Sequence, residues 1–519
     1  MKSKHLHHIT FLFFTLFIVL PLLYTFFSAF FSGNVGENFR QLNYDSSILL
    51  IKSILIAFVV AFSATFFGTV LAFILYKTNV PLRNFFKTAL LIPLFISPYI
   101  LAVAWRDFFY LFTGNTNFIS SYTGVILVLT SIFTPLSMLI SGSALSNIDA
   151  TQEESGLTMT SRLKVILKIS LPLIKPAIIS SFVLVFIFSI SEFSVPAYFG
   201  VKVFTTEIFT QFSAFYNHSL AIMQSFILVI ICILLLFSEK KYLADAPFLS
   251  VGGKGNRQIL FLFGKKNTSG LSFLIFWLIF SVIIPFIVLF LQAFASGIDK
   301  FVQAFHLLLP TFSNSVELAL LGALITVFIG FSAAYFSVNQ PKAKLNKLFN
   351  WFLLIVFAIP SIIFGISLIK FYNQKGLEFI YSSAAIIIIA YVGKFAFISA
   401  KIIENAIRQI PKSLDEIAQI EGITFLNRIL KVLLPLIMPA LFSAFIISFI
   451  FNLGELGITI MLYPPGTEIM PIKVFTIMAN APQSLTSSMS LIVFSLTLLL
   501  ITIFYLIFIK LNQSSLKKY

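Results

Sequence analysis

The sequence predicts an all-α membrane protein of twelve transmembrane helices, built as two parallel six-helix repeats. Three observations predict it. Of 519 residues, 59% are hydrophobic and only 10% charged, with a mean hydropathy of +1.00, which leaves too little polar surface for a soluble chain of this length. The apolar residues gather into stretches of about 20, the length a helix needs to cross hydrocarbon. Landmarks in the first half recur in the second at offsets of 262 to 267.

The apolar stretches fall at 9–31, 48–76, 88–112, 121–145, 173–196, 219–237, 271–296, 315–338, 350–371, 380–400, 436–462 and 487–509. Lys2 and Lys4 precede the first, as in a signal peptide, but its apolar core from Ile9 to Phe31 is too long for one. No small-residue cleavage site follows, so it reads as an uncleaved first span.

Charge gives the orientation. With the N-terminus inside, cytoplasmic segments hold 26 of the Lys and Arg residues. The outer segments hold seven, namely Arg40, Arg106, Lys202, Lys300, Lys370, Lys375 and Lys473; Lys52 and Lys394 fall within spans. That bias fits the positive-inside rule and places both termini in the cytoplasm of a multi-pass cell (inner) membrane protein. A net charge of +16 spread between apolar segments in this way points to the lipid bilayer surface and not to nucleic acid. The one cysteine, Cys232, excludes an intrachain disulfide and a Cys-based metal site.

The repeat follows from matched residues. Ser53 and Gly68 match Ser315 and Gly330; Pro93 and Pro98 match Pro360 and Gly365; Leu171–Pro172 match Leu434–Pro435; Glu192 matches Glu455. Offsets this consistent imply two copies of one unit in parallel orientation. The first repeat takes residues 1–237, with a core from about 48, and the second 271–519, with a core over about 315–510. The basic, Gly-containing stretch 238–270 reads as the cytoplasmic linker. GGKGN within it lacks the spacing of a phosphate-binding loop.

The longest cytoplasmic loop of each half carries the informative motif. In the second copy, Glu416, Ala418, Gly422, Val432, Leu434 and Pro435 fall at the spacing E-x-A-x3-G-x9-[IV]-x-L-P. This resembles the EAA loop of binding-protein-dependent ABC importer permeases of the type I (MetI-like) fold. YVGKFAF (391–397), IRQIPKSLDEIA (407–418) and GELGITIMLYPPG (454–466) are similar to the fused two-domain permeases of the ferric-iron importer family. Thiamine, phosphonate, polyamine and sulfate permeases share much of the pattern. In the first copy Leu171–Pro172 fix the register. Glu153 then matches Glu416, Ser155 matches Ala418, and Met159 stands where the motif has glycine, with Gly156 three residues earlier.

The resemblance implies a transport subunit and not an enzyme. It implies two separate cytoplasmic ABC ATPase subunits, an extracytoplasmic substrate-binding protein and ferric iron as substrate. No cofactor is bound by this chain; ATP and magnesium belong to the ATPase. The residues it assigns to ATPase coupling are Glu153, Glu154, Met159, Leu171 and Pro172 in the first loop, and Glu416, Ala418, Gly422, Leu434 and Pro435 in the second. Ser413-x-x-Glu416 also satisfies a capping box, and the comparable first-half pair is Thr151-x-x-Glu154. Glu416 is therefore read as cap and coupling residue together, in preference to a cap alone. Because Met159 replaces the motif glycine, the first loop is expected to be the weaker of the two.

Ionisable groups at membrane depth are functional candidates. Glu192 and Glu455 either line a translocation path or sit as carboxylates at the water interface. Lys394, inside the tenth span, either snorkels, pairs with Glu404 or faces the path. Arg106 and Asp107 read as a local ion pair, and His5, His7 and His8 as part of a solvated tail. A secondary transporter is the competing class, but it needs no pair of matched Glu–Leu-Pro loops. A membrane enzyme would need a catalytic constellation at membrane depth, and the sequence offers none.

Overall fold

The computed structural model describes residues 2–31, 44–238 and 268–516; most of the expected linker lies outside the described residues. Ten helices are long and apolar enough to cross a membrane, and two further candidates are helix pairs bent at a break. The first repeat contains α1 (His7–Ser28), α2 (Tyr44–Lys77), the pair α3 (Arg83–Phe95) and α4 (Pro98–Thr113), and α5 (Tyr122–Ser146). It continues with α6 (Ala150–Met159), α7 (Arg162–Ser191), α8 (Ser194–Phe199), α9 (Phe204–Ser213) and α10 (His218–Phe237). The second repeat contains α11 (Thr268–Phe294), α12 (Ile298–Asn339), the pair α13 (Lys344–Ala358) and α14 (Ser361–Tyr372), and α15 (Ala385–Arg408). It ends with α16 (Lys412–Ile420), α17 (Phe425–Gly454), α18 (Thr459–Leu462), α19 (Met470–Met478) and α20 (Gln483–Phe504).

The third and ninth expected spans are the bent pairs, turned by 96° at α3/α4 and 110° at α13/α14. Both breaks follow from proline. Pro98 opens α4 after Ser97, and Pro360 stands just before α14. Proline lacks the N–H that would continue the helix, and it disfavours helical geometry in the residue before it.

Prolines elsewhere are absorbed without a break. Pro21, Pro172, Pro285 and Pro435 each follow a five-residue π-helical stretch, over Thr15–Val19, Ile166–Ser170, Ile279–Ile283 and Ile429–Leu433. In each the residue just before the proline donates its N–H five residues back. Widening the turn relieves the clash between the proline ring and the preceding carbonyls. The pattern recurs in both repeats, at the first span and at the Leu-Pro span.

Matched residues make matched contacts. A Cβ on Gly68 would stand 2.6 Å from Ser137 Cβ, and one on Gly330 would stand 2.8 Å from Ser399 Cβ. The missing side chain lets α2 lie against α5 and α12 against α15. The N–H of Phe204 donates to Ser53 Oγ at 2.8 Å, and that of Met470 to Ser315 Oγ at 2.7 Å.

The compact units cut across the sequence repeats. One comprises residues 1–35, 308–473 and 493–519; the other comprises 36–307 and 474–492. In the first unit, Thr10 Oγ1 lies 2.7 Å from Ser332 Oγ, and the Tyr372 hydroxyl donates to the Phe17 carbonyl at 2.9 Å. In the second, the Trp277 ring of α11 packs 4.7 Å from Phe67 and Phe280 packs 4.8 Å from Trp105. The opening span of each sequence repeat thus packs with the core of the other, which linear spacing does not reveal.

Candidate functional site

The first loop is built around one buried carboxylate. The side chain of Asp149 accepts a hydrogen bond from the Thr151 N–H at 3.0 Å and caps α6. Asp149 is therefore the cap, in place of the expected pairing of Thr151 with Glu154, and Glu154 points to solvent. Glu153 turns inward. Lys77 Nζ donates to its Oε2 at 2.7 Å and Ser170 Oγ to its Oε1 at 2.8 Å. The Lys77 and Glu153 side chains are both 0% exposed. Lys77 is the last residue of α2, and Ser170 ends the π-helical stretch before Leu171–Pro172. One glutamate therefore ties the loop helix to two spans. Such a pair is stable only while both charges remain, because either one alone would be buried without compensation.

Gly156 is a packing glycine and not a turn glycine. A Cβ there would lie 2.5 Å from Ile169 Cδ1, so α6 rests directly on the start of α7. The chain leaves α6 through Thr160 in extended geometry, φ −153°. The turn at Met159 therefore needs no left-handed residue. In the second loop Gly422 does adopt one, at φ +72°, and the Ile423 N–H closes on the Ala418 carbonyl at 3.1 Å. The Glu416 side chain, and with it the expected capping box, lies outside the described residues. The positions matching Lys77 and Ser170 are Asn339 and Leu433, which line a cavity of about 290 Å3 beside Arg408 and Arg428.

Both loops present apolar side chains outward. Met159 is 89% exposed, and Leu163 and Leu167 follow it on α7. Ile420 is 84% exposed, followed by Leu426 and Leu430 on α17. Leu171 is also exposed, while Pro172 and Pro435 lie inside the continuous helices α7 and α17.

The membrane charges are placed differently from expectation at several positions. Glu192 ends α7 and accepts a hydrogen bond from the Ser194 N–H at 2.8 Å, while Glu455 ends α17 and accepts from the Ile458 N–H at 3.2 Å. Both carboxylates thus close the break between a span and the short helix after it, α8 or α18. Lys394 neither snorkels nor reaches Glu404. Its Nζ donates to the carbonyls of Phe357 and Ile359 at 3.0 and 2.6 Å, at the bend between α13 and α14. Those carbonyls lost their helical partners where Pro360 broke the span, and a cation at a helix C-terminus suits them.

Glu404 is held instead by Lys401 and Arg408, at 2.9 and 2.6 Å. Asp107 does not use Arg106 as its hydrogen-bonding partner: Gln483 and Ser487 donate to its two oxygens, and Arg106 lies over the Tyr198 ring, 5.1 Å from its centre. His7 does not lie on a solvated tail. It is 4% exposed, with its ring centre 4.3 Å from that of Phe336; the side chain of His5 lies outside the described residues.

Lys77 and Ser170, which bind Glu153, and Gln483 and Ser487, which bind Asp107, are the partners of the candidate residues that sequence reasoning missed. Lys77 and Glu153 stand 76 residues apart, and Lys77 is one of the 26 basic residues that the charge bias places on the cytoplasmic side. The one available signal is a cation as the final residue of a long apolar span, which is too common to single it out.

The family model described as "Binding-protein-dependent transport system inner membrane component" matches residues 64–240 and 326–518. The chain is 26% identical over 454 residues to the Fe(3+)-transport system permease protein FbpB 2 of Haemophilus influenzae, covering 86% of this chain and 88% of that one. It is 25% identical over 493 residues to the ferric transport system permease protein FbpB of Actinobacillus pleuropneumoniae, covering 87% and 70%. A putative 2-aminoethylphosphonate transport system permease protein, PhnV of Salmonella typhimurium, is 28% identical over 203 residues, covering 36% of this chain and 75% of that one.

Proposed function

The chain belongs to the family of binding-protein-dependent transport system inner membrane components, and from that premise we propose that it forms the whole membrane pathway of an ABC importer for ferric iron. The observation that carries the reading is the repeated element of a short helix, a turn and a π-widened Leu-Pro helix start, with exposed apolar side chains on both copies. Exposed side chains such as Met159 and Ile420 suit a partner's apolar groove better than water. In this reading each loop docks one ATPase subunit in the cytoplasm, with both termini on that side. ATP and magnesium are bound by those subunits, and an extracytoplasmic binding protein delivers the cargo. Iron is favoured over phosphonate because the ferric relatives match along 86% and 87% of the chain and the phosphonate relative along 36%.

The loops have distinct anchors. Glu153 fixes the first internally, so in that loop docking falls to Met159 and the leucines beyond it. Glu192 and Glu455, each at a broken helix, are proposed to contact the hard cation transiently through oxygen. The test is co-purification with the ATPase and binding protein, vanadate-sensitive ATPase activity and iron uptake. Mass measurement should give one copy of this chain with two ATPase subunits; two copies of this chain would refute the single-pathway reading. A Glu192→Gln, Glu455→Gln double variant should assemble but lose uptake. Normal uptake in it would remove the path role and leave helix closure.

A further inference from the structure

A polar cavity lies far from the first coupling loop. It measures about 440 Å3 and is lined by Arg106 and Tyr110 of α4, Thr116 and Ser120 of the following loop, Tyr198 of α8 and Gln483 of α20. The loop before α5 stands at the opposite end of that helix from α6, about 37 Å away for 25 residues at helical rise. In the orientation proposed above, the cavity therefore opens to the extracytoplasmic side. Among the described residues that line it, the one formal charge is Arg106, which is half-buried and among the seven basic residues assigned to that side.

An aromatic ring backs the guanidinium, and the cavity wall beside it is fixed by a hydrogen bond to a buried carboxylate. The Tyr198 ring lies beneath it, 5.1 Å away. Gln483, on the cavity wall, is fixed by donating to Asp107. Asp107 is fully buried and also bound by Ser487, so its carboxylate serves the interior of the fold. A planar cation stacked on an aromatic ring at the mouth of a polar hollow is arranged to take a carboxylate. It would repel a bare ferric ion, so the cargo itself is a poor occupant.

We propose that this cleft receives an acidic side chain of the extracytoplasmic binding protein, with Arg106 as the residue that takes its carboxylate. The inference rests on the importer reading. Charge pairs at such a rim act on encounter rate and register, and their effect weakens with salt.

The experiment titrates purified binding protein onto the full complex with its ATPase in lipid nanodiscs, at low and at physiological salt. Arg106→Gln should raise Kd by about tenfold or more and flatten its salt dependence, and Arg106→Lys should recover part of the loss. Should Arg106→Gln fail to assemble, the acidic residues of the binding protein are changed to their amides one at a time and titrated onto the wild-type complex. One such change should raise Kd and flatten its salt dependence by a similar factor, and no effect from any of them would overturn the proposal. An unchanged Kd and salt slope in Arg106→Gln would overturn it too, as would lost iron uptake with unchanged binding, which would move Arg106 to the cargo path. Failure of the binding protein to associate with the wild-type complex would overturn the importer reading, and this inference with it.

Discussion

Glu153→Ala is the perturbation that best separates the two loops. It removes a carboxylate that is 0% exposed and leaves Lys77 Nζ, also 0% exposed, without its partner 2.7 Å away. Breaking a buried pair by deleting one member costs about 3–5 kcal/mol. The Ser170 hydroxyl loses its acceptor as well, which keeps the expected value toward the upper end of that range. The assay is unfolding in mixed detergent micelles, following helix signal against denaturing detergent. Glu154→Ala, one residue on and solvent-exposed, should stay within about 0.5 kcal/mol of wild type. The paired change Lys77→Met, Glu153→Leu removes both charges and should restore most of the loss, because a well-packed apolar pair is often no worse than a buried ion pair. Equal effects at Glu153 and Glu154, or a paired variant as unstable as Glu153→Ala, would refute the reasoning. Sequence alone ranks Glu416 above Glu153, because Gly422 keeps the motif and Met159 does not. The buried pair adds a penalty at Glu153 that the motif does not show.

Lys394→Met should destabilise the protein by about 1.5–3 kcal/mol, since two carbonyls at the α13/α14 bend lose a charged donor; thermal inactivation of the purified chain checks it, and an unchanged profile would reassign Lys394. Gly422→Ala should cost about 1–2 kcal/mol through its φ of +72° alone, because nothing lies within 4 Å of an added Cβ. Met159→Gly should bring no compensating gain in loop stability, since the first turn runs through extended Thr160; protease protection of the two loops reads both. Gly68→Val and Gly330→Val should each block folded expression, because a Cβ would meet Ser137 or Ser399 at under 3 Å; normal yields would show that the helices separate freely.

The sequence by itself determined the class and the repeat. Span length and hydropathy follow from the chemistry of the bilayer, which acts on each segment locally and so shows in a window of about 20 residues. The matched pairs Gly68 with Gly330 and Ser53 with Ser315 were legible because each repeat uses them for the same contact. Tertiary structure decided what each charge does. Lys394 and Glu404 are ten residues apart on one helix, yet they serve different neighbours, because the broken span at Pro360 supplies carbonyls that only packing brings near. Asp107 adjoins Arg106 in sequence but is bound by α20. Glu153 and Glu154 are indistinguishable as letters; the 100° step of a helix turns one into a buried pair with Lys77 and the other into solvent. A buried charge needs a partner and takes whichever the fold brings within reach, so its role is fixed by long-range packing that no local pattern encodes.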